Sequence, residues 1–152
     1  MLINENLVKL NLEAENQESA LKSLAEVAFE QGKISDINEY VEAVLKRESE
    51  YSTAVGFGVA IPHGKTDAVK EPFLMFASVK QMDWKALDGE PIDLIFLIGV
   101  PEKDAGSLHL KILAALSRKL MKEDFRNALR DVKSEAGLIE LLKNSEIGIQ
   151  DN

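Results

Sequence analysis

The sequence predicts a single-domain α/β sandwich over residues 1–152, with a central mixed β-sheet flanked by two N-terminal and about three C-terminal helices. Two apolar runs of strand length, residues 73–79 and 92–100, lie in the middle of the chain. Helical spacing of apolar residues precedes these runs, and the pattern becomes helical again after Pro101. Because continuous apolar strands are typical of a sheet buried on both faces, we expect helices to cover it.

The N-terminal third is predicted to hold a short strand and two helices. Residues 7–10 suit a first strand, and Asn16 can cap a helix that ends near Gly32. Asp36 followed by Glu39 is typical of a capping box, which opens the clearest amphipathic pattern in the chain. The apolar face of that second helix consists of Ile37, Tyr40, Val41, Val44 and Leu45.

The central segment has weaker signals before and between its two long apolar runs. Residues 49–58 lose helical periodicity and are predicted to form an ordered loop, since glycine permits unusual backbone angles at positions 56 and 58. Residues 59–61 form a short apolar strand that ends at Pro62. Asp88-Gly89 predicts a turn before the second long strand.

The C-terminal third is predicted to be helical. Ser107 can cap a helix from residue 108 to about residue 121, and a shorter helix follows near residues 124–131. Ser134 can cap a last helix, whose leucines would face the core.

Composition narrows the possible functions. The 26 acidic and 18 basic side chains give a net charge of −8, which disfavours nucleic acid and anionic membranes because both attract a basic face. Cysteine is absent, so disulfides, thiolate metal sites and cysteine nucleophiles are excluded. The sequence shows neither a membrane span nor a secretory signal. We therefore expect a cytoplasmic protein without a metal or cofactor.

His63 is the strongest candidate for chemistry. The stretch from Gly58 to Thr66 has five residues between its glycines, where a nucleotide-binding phosphate loop has four. Pro62 also contributes no N–H donor, so ATP or GTP binding is not expected. Gly64 leaves space for a partner beside the imidazole, and a neutral imidazole is a competent nucleophile near pH 7. The alternative is a turn histidine that packs over a strand end.

Several other side chains have both a functional and a structural interpretation. His109 lies on an apolar helix face, which is typical of a core histidine, but the N-terminus of that helix, opened by Ser107, favours anions. Arg47 is either a solvated cation at a helix end or a planar donor to phosphoryl oxygens. Ser52 and Thr53 are either ordinary loop residues or hydroxyl donors to an oxyanion. Two histidines without a third nitrogen or thiolate ligand make a poor zinc site.

These residues resemble the signature of enzyme IIA domains of the fructose–mannitol class, which belong to the bacterial phosphoenolpyruvate-dependent sugar phosphotransferase system. The resemblance covers essentially the whole chain and is closest to the fructose-specific branch. It is carried by residues 47–48, 52–58, 59–64, 84–89 and 107–110, including Glu48, Val55 and Gly56.

The resemblance implies a phosphocarrier. Such domains accept a phosphoryl group from the phosphorylated carrier protein HPr on the histidine of the Pro-His-Gly step, here His63. They pass it to a cysteine of enzyme IIB, which phosphorylates the sugar. The resemblance also implies that His109 is the second active-site histidine and Arg47 the nearby cation. The other candidates for phosphoryl contact are Ser52, Thr53, Gly64 and Ser107. Contact with a membrane would be made only through enzymes IIB and IIC.

Two alternatives to a sugar phosphocarrier stay open. A regulatory module of the nitrogen-related type would signal its phosphorylation state by binding proteins and would feed no sugar. A small α/β binding protein with a structural His63 would form no acid-labile, base-stable phosphoprotein. For a phosphocarrier we expect an apolar docking patch around the histidine, with Val55, Phe57 and Ile61 as candidates.

Overall fold

The computed structural model describes residues 2–104, 108–145 and 147, and within them the chain forms five α-helices and one six-stranded sheet. The helices are α1 (Gln17–Glu30), α2 (Ile37–Glu50), α3 (Leu108–Leu120), α4 (Glu123–Asp131) and α5 (Glu135–Lys143). The strands are β1 (Val8–Leu12), β2 (Ala54–Gly56), β3 (Val59–Ala60), β4 (His63–Thr66), β5 (Phe73–Met82) and β6 (Ile92–Pro101). The predicted fold class is confirmed.

Three helices begin at predicted capping residues. Asn16 accepts a hydrogen bond from the Ser19 N–H at 2.9 Å, and the Ser19 hydroxyl accepts from the Asn16 N–H at 3.1 Å, which completes a capping box on α1. The Asp36 side chain accepts from the Glu39 N–H at 3.0 Å at the start of α2. Ser134 caps α5 in the same way. These side chains satisfy N–H groups that have no partner within the helix.

The sheet is mixed and has the order β1-β5-β6-β3-β2, with β4 also paired to β6. Strands β5 and β6 are antiparallel, whereas β3 and β4 both run parallel to β6. Val59 in β3 lies opposite Leu94, and His63 in β4 lies opposite Ile98, so the two short strands form one interrupted line. The interruption occurs at Pro62, which cannot donate to the ladder but accepts from the Ile98 N–H at 3.0 Å.

The core lies between this sheet and the helices. Most residues of β5 and β6 are buried, as expected for continuous apolar strands. Helix α2 packs on β4, α3 on β6, and α5 on β1. No helix within the described residues is long and apolar enough to cross a membrane.

Helix α2 packs closely against β4 at Gly64, the residue after His63. A Cβ added to Gly64 would lie 2.9 Å from Val44 Cγ2 and 3.2 Å from Tyr40 Cε1. The Tyr40 hydroxyl donates to the Ile98 carbonyl at 2.8 Å, and burial raises the pKa of this tyrosine. The space beside Gly64 is therefore occupied by α2, so the prediction that it serves an incoming partner is wrong.

One local prediction about the central segment is also wrong, and one alternative interpretation of His63 is excluded. Residues 49–58 are not one loop, because α2 continues to Glu50 and β2 pairs antiparallel with β3. His63 is not in a turn, because it is the first residue of β4. Phe57 and Gly58, with φ angles of 59° and 78°, form a tight connection between β2 and β3. These strands have only three and two residues, which is too few for a recognisable alternation.

Candidate functional site

A surface cavity of about 750 Å³ lies where α2, β4 and the beginning of α3 meet. Its wall includes three predicted site residues from separate parts of the chain, Arg47, His63 and His109, together with Gly64. The other lining residues are Glu39, Glu42, Ala43, Lys46, Glu50, Tyr51, Lys65, Thr66, Glu102, Leu110 and Leu113. The fold therefore brings the two histidines and the arginine to one surface site.

The imidazole of His63 is held in one tautomer by the backbone. Its Nδ1 lies 3.1 Å from the Ile61 carbonyl oxygen. Because a carbonyl only accepts hydrogen bonds, Nδ1 carries the proton and the neutral ring keeps its lone pair on Nε2. Burial lowers the pKa of His63 from its ordinary 6.5, the bond to Ile61 raises it, the charges of Arg47 and His109 lower it, and Glu50 raises it. The net lowering leaves Nε2 unprotonated, and hence nucleophilic, at neutral pH.

His109 lies beside His63 in the first turn of α3. The two ring centroids are 6.3 Å apart, and the ring planes are inclined by 32°. Ile112 and Leu116, on the same helix face, are buried as expected. Within the described part of the chain, the buried Nδ1 of His109 has no hydrogen-bond partner. A group bonded to one imidazole would therefore lie next to the other, and the catalytic role of His109 stays a prediction.

Arg47 lies in the last turn of α2 and contacts Tyr51. Its Nη1 donates to the Tyr51 carbonyl at 2.9 Å, and its guanidinium carbon lies 4.6 Å from the tyrosine ring centroid. A guanidinium has five N–H donors, so this bond does not exhaust its capacity to bind an anion. In this geometry Arg47 can be a cation at the end of the helix and can also donate hydrogen bonds to phosphoryl oxygens.

Of the other predicted phosphoryl contacts, Gly64 lines the cavity, whereas Ser52 and Thr53 do not. The Ser52 hydroxyl accepts from the Ala54 N–H at 3.1 Å. Thr53 is buried, its hydroxyl donates to the Glu48 carboxylate, and its N–H donates to Glu48 Oε2 at 3.1 Å. Both hydroxyls therefore organise the connection between α2 and β2. Ser107 lies outside the described residues.

The apolar patch expected around the histidine is differently composed. Ile61 is buried in the core, and Val55 and Phe57, although exposed, do not line the cavity. Tyr51 and Leu110 take their place, with 61% and 56% of their surfaces exposed. The prediction of that patch from residues 55, 57 and 61 is wrong because β3, which pairs with β2, meets β6 near its beginning, whereas β4 pairs with β6 towards its end.

Sequence reasoning also missed the polar face of α2. The charged residues of α2 that line the cavity, besides Arg47, are Glu39, Glu42, Lys46 and Glu50. Their spacing of three or four residues was a usable signal, because it places them on one side of the helix. Although acidic side chains surround the site, no three His, Asp or Glu side chains in the described ranges converge as metal ligands do.

Comparison with known proteins identifies relatives along most of the chain. The family model described as "Phosphoenolpyruvate-dependent sugar phosphotransferase system, EIIA 2" matches residues 1–145. The fructose-specific EIIA component of Haloferax volcanii is 41% identical over 90% of this chain and 88% of its own length. The fructose-specific EIIABC component of Bacillus subtilis is 37% identical over 95% of this chain, which spans only 23% of that relative. A nitrogen regulatory protein of Bradyrhizobium diazoefficiens is 38% identical over 82% of each chain.

Solved structures share the same architecture. The nitrogen regulatory protein IIA-Ntr of Neisseria meningitidis has a TM-score of 0.86 and 27% identity, covering 93% of this chain and 96% of its own. Enzyme IIAMTL of Escherichia coli, solved in complex with phosphorylated enzyme IIBMTL, has a TM-score of 0.78 over 93% of this chain and 97% of its own. At 22% identity, that second likeness shows the fold alone. The family match and the fructose-type relatives together show that the chain belongs to the EIIA 2 family of the phosphoenolpyruvate-dependent sugar phosphotransferase system.

Proposed function

We propose that the chain is a phosphocarrier that accepts a phosphoryl group from phospho-HPr on Nε2 of His63 and passes it to a cysteine of enzyme IIB. One observation carries this proposal above the others: the hydrogen bond between His63 Nδ1 and the Ile61 carbonyl. That bond leaves the lone pair on Nε2, in a cavity that also contains Arg47 and His109. Residues 1–152 would form one enzyme IIA domain that works in the cytoplasm.

The first transfer exchanges one phosphorus–nitrogen bond for another. The Nε2 lone pair of His63 attacks the phosphorus of the donor's phosphohistidine, and the electron pair of the broken bond returns to the donor nitrogen. No proton has to leave Nε2, because the ring proton is held on Nδ1 by Ile61. The charge on the moving group is spread over three equatorial oxygens, which Arg47 and His109, in the wall of the same cavity as His63, would stabilise.

The second transfer reverses this chemistry at the same atom. A thiolate of enzyme IIB attacks the phosphorus, and the electron pair of the phosphorus–nitrogen bond returns to Nε2 of His63. The ring that held both the phosphoryl group and the Nδ1 proton becomes a neutral imidazole again, which makes it a good leaving group. Neither of the two phosphoryl transfers needs a metal ion or a nucleotide.

The partner surface would combine apolar contact with charge. Tyr51 and Leu110 offer exposed apolar area beside the histidine, and the polar face of α2 surrounds them with charged side chains of both signs. A small mixed surface of this kind suits a transient encounter, in which two different partners use one site in turn.

Two uses of the phosphoryl group are compatible with this site. The fructose-specific names of the Haloferax volcanii and Bacillus subtilis relatives favour sugar transport. In that function the chain would deliver the phosphoryl group to a fructose-type enzyme IIB. The nitrogen regulatory relatives favour a second candidate, a regulatory module that signals its phosphorylation state by binding proteins. The chemistry at His63 would be the same in both.

Reconstituted phosphorylation tests the proposal. The chain is incubated with phosphoenolpyruvate, enzyme I and HPr, and incorporated phosphoryl is measured by mass spectrometry. His63→Ala should incorporate none while remaining folded, whereas His109→Gln should still be labelled at His63. Full labelling of His63→Ala would refute the assignment. Transfer to a fructose-type enzyme IIB supports transport, and a phosphorylated chain that no enzyme IIB discharges supports the regulatory function.

A further inference from the structure

A series of hydrogen bonds runs from the end of α2 to the imidazole of His63. The Glu48 carboxylate accepts from the Thr53 hydroxyl and from the Thr53 N–H, the latter at 3.1 Å. The Thr53 carbonyl accepts from the Ile61 N–H at 3.1 Å. The Ile61 carbonyl lies 3.1 Å from His63 Nδ1. The series therefore ends on the nitrogen whose protonation determines the tautomer of the imidazole.

The middle of this series is buried but weakly supported by the sheet. Thr53 and Ile61 are 6% and 1% exposed, so water does not compete freely for the bond between them. This bond continues the antiparallel pairing of β2 with β3. Strand β2 is three residues long and is the last strand in the order of the sheet, so no further described strand holds its outer edge. The two-pronged contact with the Glu48 carboxylate ties this edge to α2, and bonds to a charged acceptor are stronger than neutral ones.

We propose that Glu48 is a positioning residue for His63: by holding Thr53 it fixes the Ile61 carbonyl, and thereby the tautomer and orientation of the imidazole. The inference rests on the proposed function in one respect, namely that Nε2 is the nucleophile. When Glu48 is removed, the Ile61 carbonyl is held less firmly and the preference for a proton on Nδ1 weakens. The molecules that carry the proton on Nε2 have no lone pair there and cannot accept a phosphoryl group.

The tautomer can be measured without any phosphoryl transfer. Nitrogen-15 NMR of the full chain, above the titration range of the imidazole, separates protonated from unprotonated ring nitrogens. Wild type should show the proton on Nδ1 of His63. Glu48→Ala should increase the fraction with the proton on Nε2, and it should slow acceptance from phospho-HPr by up to about 100-fold, the cost of a small misplacement of a reacting group.

A conservative variant and a control distinguish positioning from a loss of charge. In Glu48→Gln the amide can still accept from the Thr53 N–H and donate to the Thr53 hydroxyl, so the wild-type tautomer should be retained. Thr53→Val removes the hydroxyl bond but keeps the N–H bond, and should give an intermediate tautomer ratio. Glu26→Ala, at an exposed position of α1, removes a helix carboxylate of the same kind and should behave as wild type.

The outcomes separate this inference from the proposed function. Wild-type tautomer populations in both Glu48→Ala and Thr53→Val would overturn the inference, even if transfer were slow or the melting temperature lower. If Glu48→Ala does not fold, Thr53→Val alone decides by the same measurement. If wild type is not phosphorylated at all, the proposed function fails, and the tautomer comparison still decides whether Glu48 positions the ring.

Discussion

Replacing Gly64 with alanine tests how closely α2 must approach β4. The added Cβ would lie 2.9 Å from Val44 Cγ2, 3.2 Å from Tyr40 Cε1 and 3.5 Å from the Val44 backbone nitrogen. Favourable carbon–carbon contacts are about 3.5–4.0 Å, so the helix and strand would have to separate by roughly 0.5 Å or more. Overpacking of this kind costs about 1–3 kcal/mol of folding free energy.

A smaller effect acts in the opposite direction. Alanine restricts the unfolded chain, which stabilises the folded state by about 0.4–1 kcal/mol wherever the backbone accepts it. Gly64 is not among the glycines with positive φ, so its backbone accepts alanine and the close contacts determine the sign. We expect a net loss of about 1–2 kcal/mol, which for a chain of this size lowers the melting temperature by about 2–8 °C.

Thermal unfolding of a double-mutant cycle measures this effect. Val44→Ala alone should destabilise the fold, because Val44 is fully buried and its truncation leaves a cavity. In the double variant the new Cβ no longer meets Val44 Cγ2, so the combined loss should be smaller than the sum by at least about 0.5 kcal/mol. Additive losses, or a melting temperature raised by Gly64→Ala, would refute the packing argument. Acceptance of phosphoryl should slow in Gly64→Ala and recover partly in the double variant.

Three further predictions concern the charges around the imidazole. Because burial lowers the pKa of His63, acceptance of phosphoryl should hold level as the pH falls through 6.5 and decline only below it, and an NMR titration of the ring checks this. Arg47 lowers that pKa and Glu50 raises it, so Arg47→Gln should move the titration to higher pH and Glu50→Gln to lower pH; shifts in the same direction would contradict the assignment. His109→Gln should discharge to enzyme IIB more slowly than wild type, and His109→Ala more slowly still, since it also opens a gap beside the ring of His63; equal discharge rates would make His109 a spectator.

The helices and the two long strands were determined by local sequence patterns. Asn16, Asp36 and Ser134 cap helices through hydrogen bonds that span only three residues, so a short stretch of sequence contains both partners. The continuous apolar runs that form β5 and β6 favour a sheet that is buried on both faces, whichever strands they pair with. The resemblance around His63 was likewise carried by adjacent residues.

Features that depend on distant partners were decided only by the tertiary structure. The strands β2, β3 and β4 are too short to show a hydrophobic period. Strands β3 and β4 form by pairing with β6, and β2 forms by pairing with β3. Thr53 reads from sequence as a loop hydroxyl available to an anion, yet it is buried and bonded to Glu48. Gly64 reads as space for a partner, yet α2 occupies that space.

His63 also combines a feature that the local sequence determines with features that only the tertiary structure determines. The sequence by itself determined that His63, between a proline and a glycine, was the residue to examine. Which of its nitrogens keeps the lone pair was decided by the Ile61 carbonyl, and the Ile61 N–H donates to the Thr53 carbonyl across the sheet edge. The approach of His109 likewise depends on how α3 packs on β6. Hydrogen bonds and packing between segments far apart in the chain leave no periodic trace in the sequence, and only the folded arrangement supplies them.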